Sequence, residues 1–142
     1  MRFFLVFPLM LIPVALYNIL AVSGSAFSTA AEIRARLDTD FQSIPMISGS
    51  IWQITPGHML ITLSLIMLFF EMIKSTGTDH TAVMNHAFSM VLFIICLVEF
   101  LMFPAFGTSV FFIIGLMALL DVMAGFMVTI ASARRDFSVG EA

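Results

Sequence analysis

Between Ala82 and Ser132 the chain carries only two charged residues, Glu99 and Asp121, and both are acids. Two long apolar runs, joined by the short turn Pro104-Ala105-Phe106-Gly107, make up that stretch. Water cannot be the solvent for such a sequence. The whole chain of 142 residues is 61% hydrophobic and 11% charged, against about 45–50% and about 25% in soluble domains. A chain this short has no interior large enough to hide that much apolar surface, so lipid must cover it.

Four segments approach the length needed to cross about 30 Å of hydrocarbon. They lie at about 3–22, 56–73, 82–103 and 108–132. Each must be a helix, because lipid leaves exposed backbone groups unsatisfied. The sequence therefore predicts an all-α integral membrane protein, a single four-helix transmembrane domain over 1–142. The first segment begins Met1-Arg2-Phe3-Phe4 and resembles a signal peptide, with Gly24-Ser25-Ala26 as its small residues. It is read instead as a retained helix, bent at Pro8 and Pro13.

Residues 23–55 form an external loop. Within it Thr29 and Glu32 are spaced as a capping box. Ala30, Ile33, Leu37, Phe41 and Ile44 recur at helical spacing. Together they predict a short amphipathic helix at about 29–43, lying on the membrane surface or capping the bundle. Its charges are spaced for ion pairs Glu32–Arg36, Arg34–Asp38 and Arg36–Asp40. Trp52 is placed as an interfacial anchor before the second span, and Thr55-Pro56 forms an N-cap and first helical residue. The short polar link after Lys74 makes spans two and three antiparallel neighbours. Residues 134–142 are a short tail.

Arg2, Lys74, Arg134 and Arg135 fall on one side, and Arg34 and Arg36 on the other. The positive-inside rule then puts both termini in the cytoplasm, most simply across a bacterial inner membrane. No internal repeat marks a repeat-built transporter. A net charge of −3 with six Lys and Arg speaks against nucleic acid as a partner.

Counting down each span from the outer end, at ~1.5 Å per residue, sorts the polar residues by depth. An inner layer holds Glu71, Asn85, His86, Ser89 and Asp121. An outer layer holds Asn18, Thr62 and Glu99, with Tyr17 near it and His58 at its mouth. In the fourth span Ala118, Gly125 and Thr129 share the face of Asp121, so a neighbouring helix can approach closely there. Acids within a span are functional-site candidates by default, although each can also serve only to lock helices together. Glu71, one turn from Lys74, can equally sit among headgroups.

Catalytic signatures are missing. There is no HExxH, Glu-x-x-His, P-loop or nucleophile-elbow pattern. The one cysteine, Cys96, has no resolving partner. No metal or other cofactor is expected. Heme or a metal at His86 would need ligands from a partner, since His58 and His80 fall elsewhere. The expectation is a non-catalytic accessory or scaffold subunit of a larger membrane complex, respiratory or photosynthetic in kind. Its partners would be lipid and other membrane subunits or copies of itself. One alternative is a small oligomeric proton- or cation-conducting protein using Glu99, Asp121 and Glu71. A third is a quinone- or heme-binding membrane subunit.

Overall fold

The computed structural model describes residues 6–23, 29–74 and 80–139; for 80–81, 129 and 132–139 it describes the backbone alone. The sequence expectations for residues 1–5, for the link 75–79 and for the Thr129 side chain fall outside these. The elements are α1 (Leu11–Val22), α2 (Ala30–Leu37), β1 (Gln42–Pro45), β2 (Ile51–Ile54), α3 (Pro56–Lys74), α4 (His80–Met102) and α5 (Ser109–Val139). A 3-10 turn at Pro104–Phe106 joins α4 to α5.

Three helices are long and apolar enough to cross a membrane: α3, α4 from Ala82, and α5 as far as Val128. Their outward positions are Leu, Ile, Met, Val and Phe, among them Leu65, Phe69, Val91, Leu101, Leu116 and Phe126. Such a surface is consistent with contact with a lipid bilayer. The fourth predicted span is only partly seen. Regular helix in α1 covers 12 residues, about 18 Å of rise. Pro8 lacks an amide hydrogen, so the helix cannot run through it. Regular structure resumes only after a break, with Leu11 N donating to the Pro8 carbonyl.

α5 lies between its neighbours and packs closely on both α4 and α3, and also meets α1. Its buried positions Phe111, Ile114, Ala118, Asp121, Val122 and Gly125 recur every three or four residues. The expected neighbours α3 and α4 are instead separated over most of their length, and meet side chain to side chain at Glu71 and Asn85. Small residues on α5 let it come closer to each than they come to one another. α5 also continues through Val139, into residues read from the sequence as tail. No Gly or Pro interrupts it between Phe126 and Val139.

Tyr17 pins α1 to the α4–α5 turn. Its ring packs against Phe106 and Phe111, with centroids 5.6 and 4.6 Å away. Its hydroxyl donates to the Ala105 carbonyl at 3.1 Å, which leaves its oxygen to accept from Thr108 at 2.6 Å. The Thr108 oxygen in turn accepts the Phe111 amide at the start of α5. A fully buried hydroxyl thus has every partner it needs.

α2 caps this end of the bundle. The Thr29–Glu32 capping box forms in full, and Ile33 and Leu37 are buried against the turn and α3. The helix stops at Leu37, short of the predicted 43, because Asp38-Thr39-Asp40 are weak helix formers that bond locally; Thr39 Oγ1 donates to the Ala35 carbonyl. The predicted ion pairs along α2 do not form. Arg34 instead donates to the Gly107 carbonyl, and Arg36 to Leu20 and Ser23. Carbonyls at the ends of other elements offer these guanidinium groups fixed acceptors, which exposed carboxylates do not.

A β-hairpin follows that the sequence reading missed. Ile44 stands opposite Trp52 and Pro45 opposite Ile51. Gly49, at φ 84°, closes the loop in the left-handed conformation that favours glycine. Thr55 then caps α3 as expected, accepting the His58 amide at 3.3 Å.

Candidate functional site: a buried polar layer among three helices

Leu60, Ser64, Leu68 and Glu71 of α3 are all buried, at spacings of four, four and three. Glu71 is therefore carried on the core face of its helix and is fully buried. Its carboxylate takes three donors. The Leu9 amide reaches Oε2 at 2.7 Å. Lys74 Nζ lies 3.0 Å from Oε1, and Asn85 Nδ2 donates to the same oxygen. Lys74 also donates to the Phe7 carbonyl at 2.8 Å. One ion pair thus satisfies both a donor and an acceptor exposed by the break at Pro8. Within a membrane those backbone groups have to find partners inside the protein.

The other half of the layer is different. Asn85, Ser89 and Asp121 are each 1% exposed. Asn85 Oδ1, Ser89 Oγ, both Asp121 carboxylate oxygens and both His86 ring nitrogens are buried without a hydrogen-bond partner. Asn85 is oriented by Glu71: a carboxylate can only accept, so the amide nitrogen must face it and the oxygen must face away. Ser89 is the side chain acting most directly on the Asp121 carboxylate, with Glu71 and Lys74 in electrostatic range. The same two charges also act on His86. The His86 ring lies directly against Gly125, where any Cβ would collide with it. Beside the ring an apolar groove of about 210 Å³ runs between α4 and α5, lined by Val83, Ala87, Met90, Val122 and Phe126.

Of the expected inner layer, Glu71 meets Asn85 and Asp121 meets Ser89, while the His86 ring lies against Gly125. Of the outer layer, Asn18 and Glu99 meet, Asn18 Nδ2 donating to Oε2 at 3.3 Å and also to the Val14 carbonyl. Thr62 is not with them. It is exposed, because it stands two residues from the buried Leu60 and so on the opposite side of α3. Depth counting ranks residues along a helix but says nothing about direction around it. His58 is exposed as well. Ala118 is buried on the packing face of α5 together with Gly125.

Two participants escape the sequence reading: Lys74, which it places only on the inner side of the second span, and the backbone at Phe7 and Leu9. The signal was present in Pro8, which must leave backbone groups unpaired wherever it interrupts a membrane helix. Among the described residues, no three His, Cys, Asp or Glu side chains converge as they would around a metal ion.

The fold is mostly helical, with three helices long and apolar enough to span a membrane. No protein-family model, curated protein or solved structure matches the chain.

Proposed function

We propose that the chain is a non-catalytic accessory or scaffold subunit of a larger membrane assembly, and that the β1–β2 hairpin is the element that docks it. The hairpin carries this reading. Ile44, Met46 and Trp52 share one of its faces, and all three are exposed, as are Phe41, Ile47 and Ile51 elsewhere on it. No charged residue occurs from Phe41 to Thr55. Its two outer edges are unpaired among the described residues, since the sheet has two strands. A lone two-stranded hairpin is marginal in water. Hydrocarbon would cover its faces but leave its edges unsatisfied. A protein surface can cover the apolar face and also pair an edge. In this reading the first segment completes a fourth span. Both termini lie on the cytoplasmic side of a bacterial inner membrane, and the host is a respiratory or photosynthetic complex.

The test is purification in mild detergent, wild type beside Ile44→Ser/Trp52→Ser. The expected result is a second subunit present in fixed ratio with the wild type and lost from the variant, whose helical content is unchanged. A monodisperse single-chain particle, or a variant that loses only its affinity for lipid vesicles, would overturn the reading.

A further inference from the structure

We propose that Asp121, Ser89 and Asn85 form an intramembrane binding site for one alkali-metal cation. The site is independent of the docking hairpin.

The charge count comes first. Among the described residues three ionic side chains act on one another in the layer: Glu71 and Lys74 of α3, in contact, and Asp121 of α5, within their electrostatic range. Glu71 and Lys74 neutralise one another directly. That leaves Asp121, which is 1% exposed, without a counter-charge of its own among the described residues. From α4 the facing groups are Asn85, His86 and Ser89; none is a fixed cation. Leu9 and Phe7, from the broken first segment, contribute only backbone, and that is spent on Glu71 and Lys74. A carboxylate inside a membrane segment needs a partner, and one positive charge is what the layer lacks. A divalent ion would leave a surplus charge of its own.

The ligand chemistry comes second. The unpartnered atoms include four oxygens: both of Asp121, Oγ of Ser89 and Oδ1 of Asn85. Carboxylate, hydroxyl and amide oxygens suit a hard cation. Cys96 lies two turns along α4 from Ser89, so no thiolate favours a softer one. Both Asn85 and Ser89 are fixed on the buried face of α4, one turn apart, and α4 packs against the helix that carries Asp121. Glu71 holds the Asn85 amide so that its oxygen is the free end.

A proton on Asp121 would remove the charge but would not complete the site. One added O–H can donate to one acceptor, which leaves others among Asn85 Oδ1, Ser89 Oγ and the second carboxylate oxygen without a partner. An ion of finite radius between them can contact several at once.

The experiment is thermal unfolding of the full chain in detergent, at constant ionic strength, with choline replaced stepwise by sodium, potassium or lithium. Binding to the folded state raises Tm with cation concentration. The expected result is a saturable rise of several degrees with at least one alkali ion. Its midpoint should shift about tenfold per pH unit in the acidic range, because cation and proton exchange one for one on the carboxylate. Asp121→Asn should abolish the rise. Ser89→Ala, which keeps the carboxylate, should shift the midpoint at least tenfold and so covers the case in which Asp121→Asn fails to fold. Infrared spectra separate the alternatives. A protonated carboxyl band lost in Asp121→Asn and insensitive to alkali ions would overturn the proposal in favour of a proton. A flat Tm response to all three ions, or an unchanged response in Ser89→Ala, would also overturn it.

Discussion

Single residues in this protein act through what they leave stranded. Lys74 is 14% exposed and its partner Glu71 is fully buried. Lys74→Met should therefore cost about 3–5 kcal/mol, the usual penalty for leaving a buried charge unpaired. Adding Glu71→Gln should recover part of that loss, although the Leu9 amide would then face a weaker acceptor. Unfolding by denaturing detergent in mixed micelles would measure both, and a single variant as stable as wild type would contradict the buried pair. Gly125 makes a second prediction. Because a Cβ there would strike the His86 ring, Gly125→Ala should destabilise by about 1–3 kcal/mol, the range for overpacking. Gly125→Ala combined with His86→Ala should relieve it. At Tyr17 the loss would be polar. Tyr17→Phe leaves the Ala105 carbonyl and the Thr108 hydroxyl each short of one bond, which should cost about 1–3 kcal/mol. Residue types alone picked out Glu71, Asp121, Asn85, His86 and Ser89 as one layer by depth. They did not indicate which would be satisfied, because that depends on a lysine and two backbone groups brought from other segments.

At the scale of elements, the breaks carry as much information as the helices. Pro8 interrupts the first segment, and the exposed backbone becomes the docking point for Glu71 and Lys74. Pro8→Ala should let helix propagate through this region. The Leu9 amide would then turn toward its own helix and leave Glu71, so helicity by circular dichroism should rise while stability falls. A rise in both would separate the break from the ion pair. The capping box on α2 and the N-cap at Thr55 were legible, because each depends on residues three or four apart. The end of α2 and the whole hairpin were not. Phe41 and Ile44 continue the helical spacing of Ile33 and Leu37, so periodicity pointed to helix. Against it stood Asp38-Thr39-Asp40 and the Ser48-Gly49-Ser50 turn, flanked by Ile44, Ile51 and Trp52, which are good strand residues. Local hydrogen bonding prevailed over a pattern whose last two members gain no burial: Phe41 is 67% exposed.

For the molecule as a whole, α5 is the organising helix, packed on both α3 and α4. Cys96 offers a probe of that packing. It is the one cysteine of the chain and 1% exposed, with its Cβ 4.0 Å from a Cβ built on Gly115 of α5. Its reaction with a small maleimide should be slow in the native protein and should rise in step with loss of helix–helix packing; fast labelling of native protein would contradict the close α4–α5 contact. The sequence by itself pointed to lipid as the solvent, and determined the helical character and the positions of the three long helices. Those follow from apolar length and from the rule that backbone polar groups cannot face hydrocarbon unpaired. It also ranks the polar side chains along each helix, since rise per residue is constant. The tertiary structure alone decided what lies beside what. It placed α5 between α3 and α4, turned Thr62 outward, and matched Glu71 to a lysine and a broken backbone while leaving Asp121, among the described residues, with oxygens but no counter-charge. Rotation about a helix axis and the choice of neighbour come from packing between segments far apart in sequence, and no local pattern encodes them.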